Sequence, residues 1–353
     1  MAAFRIAVIG GDGIGPEVIE QAIRVTDAAL AAEGAALAWN PLPWNTDYYK
    51  QHGRMMPEDG WDLLRQHDAI LFGAVGSPDV PDHVTIHALL LPMRRKFDQY
   101  VNLRPAYLFE GVPTPLRDKV PGSIDMLVFR ENTEGEYAPI GGRLYEGTPH
   151  EIAIQANTFT RRGTERIMRA AFEAARRRPR RKVTSVTKSN AMQFGMVLWD
   201  EVFRAVARDY PDVQANSLLV DAAAMDFVRR PEAFDVVVAS NLFGDILTDL
   251  SAIITGSMGL AASGNINPER TYPSMFEPVH GSAPDIAGKG VANPLAAILS
   301  AGLMLDHLNL TRSAARVRQA VAQVLRAGQA LPPDLGGRAT TVQVADAVLA
   351  ALA

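Results

Sequence analysis

FRIAVIGGDGIGPEV, residues 4–18, is the stretch on which the fold turns. Its first six residues, apolar apart from Arg5, read as a buried strand, and a glycine-rich turn leads from it into a helix from about Glu17 to Ala32. A strand, a glycine turn and a helix invite the dinucleotide fingerprint G-x-G-x-x-G. A match starting at Gly11 needs glycine at 16, where Pro16 stands. Proline suits the first turn of a helix, where the backbone N–H has no intrahelical acceptor. The stretch predicts an α/β chain that is not of the Rossmann type.

The same alternation continues outward from it. Pro57 to Arg65 reads as a short helix, Asp68 to Phe72 as a strand closing on glycines, and Asp79 to Val84 as a loop. A helix is expected over Leu89–Tyr100 and strands over Val101–Pro105 and Ile124–Arg130. Residues 138–160 alternate with glycine turns, as an extended arm or hairpin of the kind that makes subunit contacts. Helices over Gly163–Arg178 and Gln193–Tyr210 flank a strand at Val183–Thr187, and Ser217–Val220 reads as a strand running into Asp221. Ala233–Ala239 (AFDVVVA) is a further buried strand, and helices follow near 295–308, 311–327 and 341–352.

Composition narrows the function. The chain has 353 residues, enough for two domains, with 48% hydrophobic and 21% charged residues and a net charge of −4. The absence of cysteine excludes disulfides, thiolate metal ligands and cysteine nucleophiles. The longest apolar run, Leu295–Leu305, falls short of the ~20 residues a membrane span needs. The basic run Arg176–Lys182 follows a helix, where cations complement the macrodipole, and has no interleaved aromatics for base stacking. No nucleic acid and no membrane are therefore expected as partners, and a chain that opens at once as strand and turn is expected in the cytoplasm.

The chemistry gathers in a few places. In SNLFGDILTDL (240–250), Asp245 and Asp249 stand four apart, which puts both carboxylates on one helix face, an arrangement suited to a hard divalent cation. Asp221, at the end of a strand, is a candidate third carboxylate or a helix cap. Arg94, Arg104 and Arg130 are candidates to hold a carboxylate-rich substrate, Tyr137 is a candidate proton donor, and Lys188 a candidate base given burial or a positive neighbour. His83 and His87 are also four apart, but β-branched residues lie between them and Pro81 precedes them, so a helix carrying both is not expected. The small residues and backbone of FEPVHGSAPDIAG (276–288) and Asn293-Pro294 suit a phosphate or adenosine. No G-x-x-x-x-G-K-[ST] loop supports phosphoryl transfer.

In their order these motifs resemble the β-decarboxylating dehydrogenases that act on isocitrate, isopropylmalate, homoisocitrate, and tartrate or D-malate. The resemblance rests on GDGIGPEV (11–18), RRKFDQYVNLRP (94–105), RENTEGEY (130–137), TKSNAM (187–192), SNLFGDILTDL (240–250) and EPVHGSAPDIAGKGVANP (277–294). It implies a two-domain fold distinct from Rossmann, with 1–101 and 256–353 forming the cofactor domain and 102–255 the dimerisation and substrate domain. It also implies a homodimer with shared active sites, to which the partner chain brings Lys188 and Asp221. Arg94, Arg104 and Arg130 would bind substrate carboxylates, and Asp221, Asp245 and Asp249 would hold Mg²⁺ or Mn²⁺, with K⁺ a candidate further cofactor. NAD would be taken by Ile14, His280, Gly281, Ser282, Ala283, Asp285, Ile286 and Asn293, the acid at 285 repelling a 2′-phosphate.

The chemistry implied is removal of the hydroxyl proton by Lys188, hydride loss from C2, decarboxylation of a polarised ketone, and protonation of the enolate by Tyr137. The stretches around 80–83, 94–102 and 111–116 look most like tartrate and D-malate dehydrogenases. Leu90 and Leu91 keep 3-isopropylmalate, of leucine biosynthesis, as the alternative, and His87 is expected to face the substrate's variable group.

Overall fold

A computed structural model describes residues 4–353. The chain divides into two compact units. Of the described residues, the first takes 4–99, 104–124 and 251–353, and the second 100–103 and 125–250. Residues 104–124, expected in the middle domain, group with the first unit.

Among the described residues twelve strands run in chain order. They are β1 (Phe4–Gly11), β2 (Leu37–Pro41), β3 (Ala69–Ala74), β4 (Val101–Tyr107), β5 (Asp125–Glu131), β6 (Gly141–Leu144) and β7 (Ile152–Gln155). Then come β8 (Lys182–Thr187), β9 (Gln214–Leu219), β10 (Val236–Ala239), β11 (Ala262–Ile266) and β12 (Ser274–Pro278).

In the first unit β1 lies between β2 and β3, and β3 pairs with β12, all in parallel, while β11 closes on β12 antiparallel. Every residue of β3 is buried, as a strand covered on both faces must be, and its apolar sequence follows from that. Helix Gly15–Ala31 covers one face together with Leu295–His307, Thr311–Ala327 and Thr341–Leu352. Ten of the thirteen residues of Leu295–His307 are buried, so the run too short to span a membrane is a core helix. No helix among the described residues is long and apolar enough to cross a membrane.

The second unit has parallel strands in the order β5-β10-β8-β9. Helix Arg161–Arg176 buries Ile167, Met168, Ala171 and Phe172, and helix Gly195–Ala207 buries Trp199, whose indole N–H donates to Ser185 Oγ at 2.9 Å. The basic run is structural: Arg176 pairs with Asp212, Arg178 with Asp125 and the fully buried Asp235, and Lys182 Nζ donates to Ala233 O. The expected arm is an antiparallel ribbon of β6 and β7, all eight of whose residues are exposed.

Three local expectations change. The helix placed at 89–100 begins at Asp82 and ends at Lys96, and the supposed loop through His83 is helical. Pro92 explains the passage: it has no N–H and its ring crowds the carbonyl a turn earlier, and the wide π turn Ile86–Leu90, with Leu91 N bonded to Ile86 O, carries the helix past it. Asp98, left-handed at φ +42, then stops it short of Tyr100. Finally, the strand placed at 217–220 is β9, which ends at Leu219, and Asp221 sits in the first turn of helix Val220–Arg229.

Candidate active site

In the second unit, helix Asn241–Ile254 follows the wholly buried β10 and carries both Asp245 and Asp249, one turn apart. Asp245 is half-buried, with one oxygen paired to Arg130 Nη1 and the other accepting the Tyr137 hydroxyl at 2.9 Å. Arg130, 1% exposed, also donates Nε and Nη2 to Asn241 Oδ1, at 3.0 and 2.8 Å. Its guanidinium lies 5.5 Å from the centre of the Tyr137 ring. The approach needs glycine on the helix, since a Cβ at Gly244 would stand 2.6 Å from Arg130 Cβ. Burial, and after it the Asp245 carboxylate, push the Tyr137 phenol up to about 12, so it keeps its proton at neutral pH.

The loop bearing Tyr137 is set by three glutamates whose roles the sequence reading missed. Glu131, 2% exposed, accepts the backbone N–H of Thr133 and Glu134, and burial pushes its carboxyl up to about 7. Glu134 accepts the Thr160 N–H and hydroxyl, both at 2.9 Å. Glu136 accepts the Ser240 hydroxyl at 2.7 Å and the Leu242 N–H at 3.0 Å, which satisfies an orphan donor in the first turn of the Asp245 helix. The one signal in sequence was the density of acids in RENTEGEY.

Lys188 and Asp221 face each other, Nζ to Oδ1 at 2.8 Å, with side chains 29% and 57% exposed. The neighbour of Lys188 within the chain is thus an acid, where activation as a base needs a cation or burial. The ammonium holds the Asp221 carboxyl below the usual range. Among the described residues no three His, Asp or Glu side chains stand close enough to share a metal ion.

The first unit holds the other expected residues. Arg94 is buried, with Nη2 on Glu277 Oε1 at 3.0 Å, and its buried Nε has no hydrogen-bond partner among the described residues. Arg104 is buried on β4. His87 is exposed on the π turn and Leu90 half-buried beside it.

The GDGIGP turn packs tightly on its neighbours. A Cβ at Gly11 would stand 1.8 Å from Ala74 O and one at Gly13 1.9 Å from Ser282 O, and Ile14 N donates to that same oxygen at 2.8 Å. Asp12 accepts from Thr46 N and Gly76 N, both at 2.9 Å, so it fastens two loops to the turn. In the 280–286 loop Gly281 and Asp285 are exposed, Ala283 is left-handed at φ +40, and Ala283 and Ile286 pack on the core. Asn293 accepts Leu295 N–H at 3.0 Å and donates to Asp334.

Both expected cofactors fit what is there. Asp245 and Asp249 offer only carboxylate oxygens, the donors Mg²⁺ and Mn²⁺ take. In the loop that meets the GDGIGP turn, His280 Nε2 is shielded from solvent and has no hydrogen-bond partner among the described residues, although Nδ1 lies 3.0 Å from Gly281 O. A buried polar atom left unpaired calls for a partner, and a polar cofactor group is one that fits.

Comparison with known proteins is consistent along the chain. The family model described as isocitrate/isopropylmalate dehydrogenase matches residues 5–348. The D-malate dehydrogenase [decarboxylating] of Escherichia coli K12 is 53% identical over 355 residues, which cover 99% of this chain and 98% of that protein. The tartrate dehydrogenase/decarboxylase of Pseudomonas putida is 50% identical over 359 residues, covering 99% and 98%. Among solved structures, isocitrate dehydrogenase from Methylococcus capsulatus superposes with a TM-score of 0.89 at 36% identity, over 99% of both chains.

Proposed function

The chain belongs to the isocitrate/isopropylmalate dehydrogenase family of enzymes, and from that premise we propose that it oxidises D-malate or tartrate with NAD and a divalent cation. D-Malate would yield pyruvate, CO₂ and NADH. Relatives of those two activities, half identical over nearly the whole chain, support the choice of substrate. Mg²⁺ or Mn²⁺ held by Asp245 and Asp249 would supply Lewis acidity, and NAD would supply the hydride acceptor.

The observation that carries the reading is the Tyr137 hydroxyl, 2.9 Å from Asp245 and protonated at neutral pH. A phenol held beside a metal-ligand carboxylate is placed to deliver its proton to the C3 carbanion left by CO₂. Lys188 takes the hydroxyl proton, so the two residues together balance the proton count of decarboxylation. Arg94, Arg104 and Arg130 bind the substrate carboxylates, and His87 and Leu90 face the group that distinguishes one malate from another.

Lys188 and Asp221 act from a second copy of the chain, in a cytoplasmic homodimer with shared active sites. The β6–β7 ribbon supports this, since it exposes Leu144, Ile152 and Ile154. Large apolar side chains on an isolated two-stranded ribbon need a partner surface.

The deciding experiment follows NADH and CO₂ from purified protein with Mn²⁺ on D-malate, the tartrates and 3-isopropylmalate. The reading expects the highest kcat/KM on D-malate or a tartrate. A clear preference for 3-isopropylmalate would overturn it.

A further inference from the structure

β1, β3 and β12 run parallel, so their starting ends lie together at the edge of the first unit opposite the GDGIGP turn and the 280–286 loop. A cavity of about 290 Å³ opens there, walled by Arg65, Arg270, Tyr272, His307 and Asp68. Its wall is rich in donors that the protein leaves without acceptors. Arg270 spends Nη2 on His307 O and Asn309 Oδ1, and its Nε and Nη1 have no acceptor among the described residues. Arg65 spends Nη1 on Asp62, in an exposed pair, and lies 5.9 Å from the centre of the Tyr272 ring, whose hydroxyl also has no partner among the described residues. The acid in the wall, Asp68, already accepts the Arg5 N–H at 2.7 Å.

The loop presenting Arg270 is built rather than loose. Arg270 sits at φ +55, a conformation that side-chain-bearing residues rarely adopt. Asn267 Oδ1 holds it there by accepting Thr271 N at 2.8 Å, Thr271 Oγ1 at 3.0 Å and Tyr272 N at 3.3 Å. Burial and the nearby Arg270 push the His307 imidazole down to about 4, so at neutral pH the ring adds a neutral donor or acceptor and no charge.

We propose that this cavity binds a compact oxyanion, a phosphate or a small polycarboxylate, with the Arg65 and Arg270 guanidiniums as its charged ligands. Two planar forks with spare N–H groups match the geometry of such an anion, and neither is among the groups that serve the dehydrogenase reaction.

The test is isothermal titration of the full-length protein with inorganic phosphate and, separately, with citrate, comparing wild type with the Arg65→Gln/Arg270→Gln double variant. Arg94, Arg104 and Arg130 are the same in both proteins, so the difference between them reports the cavity alone. The proposal expects binding to the wild type to weaken about tenfold or more in the double variant, the scale of a lost charge-assisted contact, with NADH formation unchanged. Whichever anion binds more tightly identifies the source. Equal affinity in both proteins, or no heat from either anion, would overturn the proposal. Should the double variant not fold, Arg65→Gln alone, at the exposed end of a short helix, gives the same comparison, and Arg270→Lys tests the fork by keeping the charge.

Discussion

The Glu136 carboxylate accepts the Leu242 backbone N–H at 3.0 Å and so ties the residue next to Tyr137 to the first turn of the helix carrying Asp245. The candidate proton donor and the candidate metal ligand are thereby held in one frame. Replacing Glu136 with alanine removes a helix-end acceptor and strands the buried Ser240 hydroxyl, which should cost about 1–3 kcal/mol in urea denaturation. Mn²⁺ affinity, read by titration without substrate, should fall as well. Loss of stability with metal affinity untouched would show that Glu136 does not set the position of Asp245.

Tyr137→Phe keeps the ring beside Arg130 and removes the proton. NADH formed in a single turnover should stay within about tenfold of wild type, while steady-state pyruvate release falls about 10²–10⁴-fold, the usual contribution of a general acid. Equal losses in both would assign Tyr137 to binding.

Gly13→Ala sets a methyl group 1.9 Å from Ser282 O at a backbone φ of +58. A backbone oxygen has little room to yield, so the turn and the 280–286 loop must part, at a cost of about 1–3 kcal/mol. The KM for NAD should rise with kcat less affected. A variant as stable as wild type in thermal melts would show that the two loops separate freely.

His307 and Glu131 make stability depend on pH in opposite senses. The folded pKa of His307 is pushed down to about 4 from an ordinary 6.5, so the unfolded chain binds the extra proton and stability is lost as pH falls from 6.5 towards 4. Glu131 is pushed up to about 7 from 4.5, so the folded chain holds the extra proton and stability is lost as pH rises through that window. Urea midpoints for His307→Gln between pH 4 and 7 should show a shallower decline on the acid side than wild type. Parallel profiles would mean that the ring titrates alike in both states.

The buried strands and long helices were legible because their apolar periods are long and unmixed, as in β3 or Leu295–His307. Asp245 and Asp249 were legible as a pair because one helix fixes their spacing. Less could be read where one residue overrides the pattern: Pro92 forces a π turn that lets the helix begin at Asp82, and Asp98 ends it early. β2, β11, β12 and helix Thr46–His52 were not anticipated, and three of the five residues of β2 are exposed, which leaves no alternation to find. The glutamates around Tyr137 were opaque for a different reason. Their partners at Thr160 and Leu242 are distant in sequence, and an acid destined to receive a backbone N–H looks like any surface acid.

The discontinuity of the first unit also sets a timetable. A ribosome emits β3 long before β12, its neighbour on one side, so that edge waits unpaired through the synthesis of the entire second unit. By contrast β5, β8, β9 and β10 all emerge within the contiguous stretch 125–250. The middle of the protein is thus equipped to fold first, while the apolar edge of β3 stands open as a template for misassembly until Ser274–Pro278 arrives.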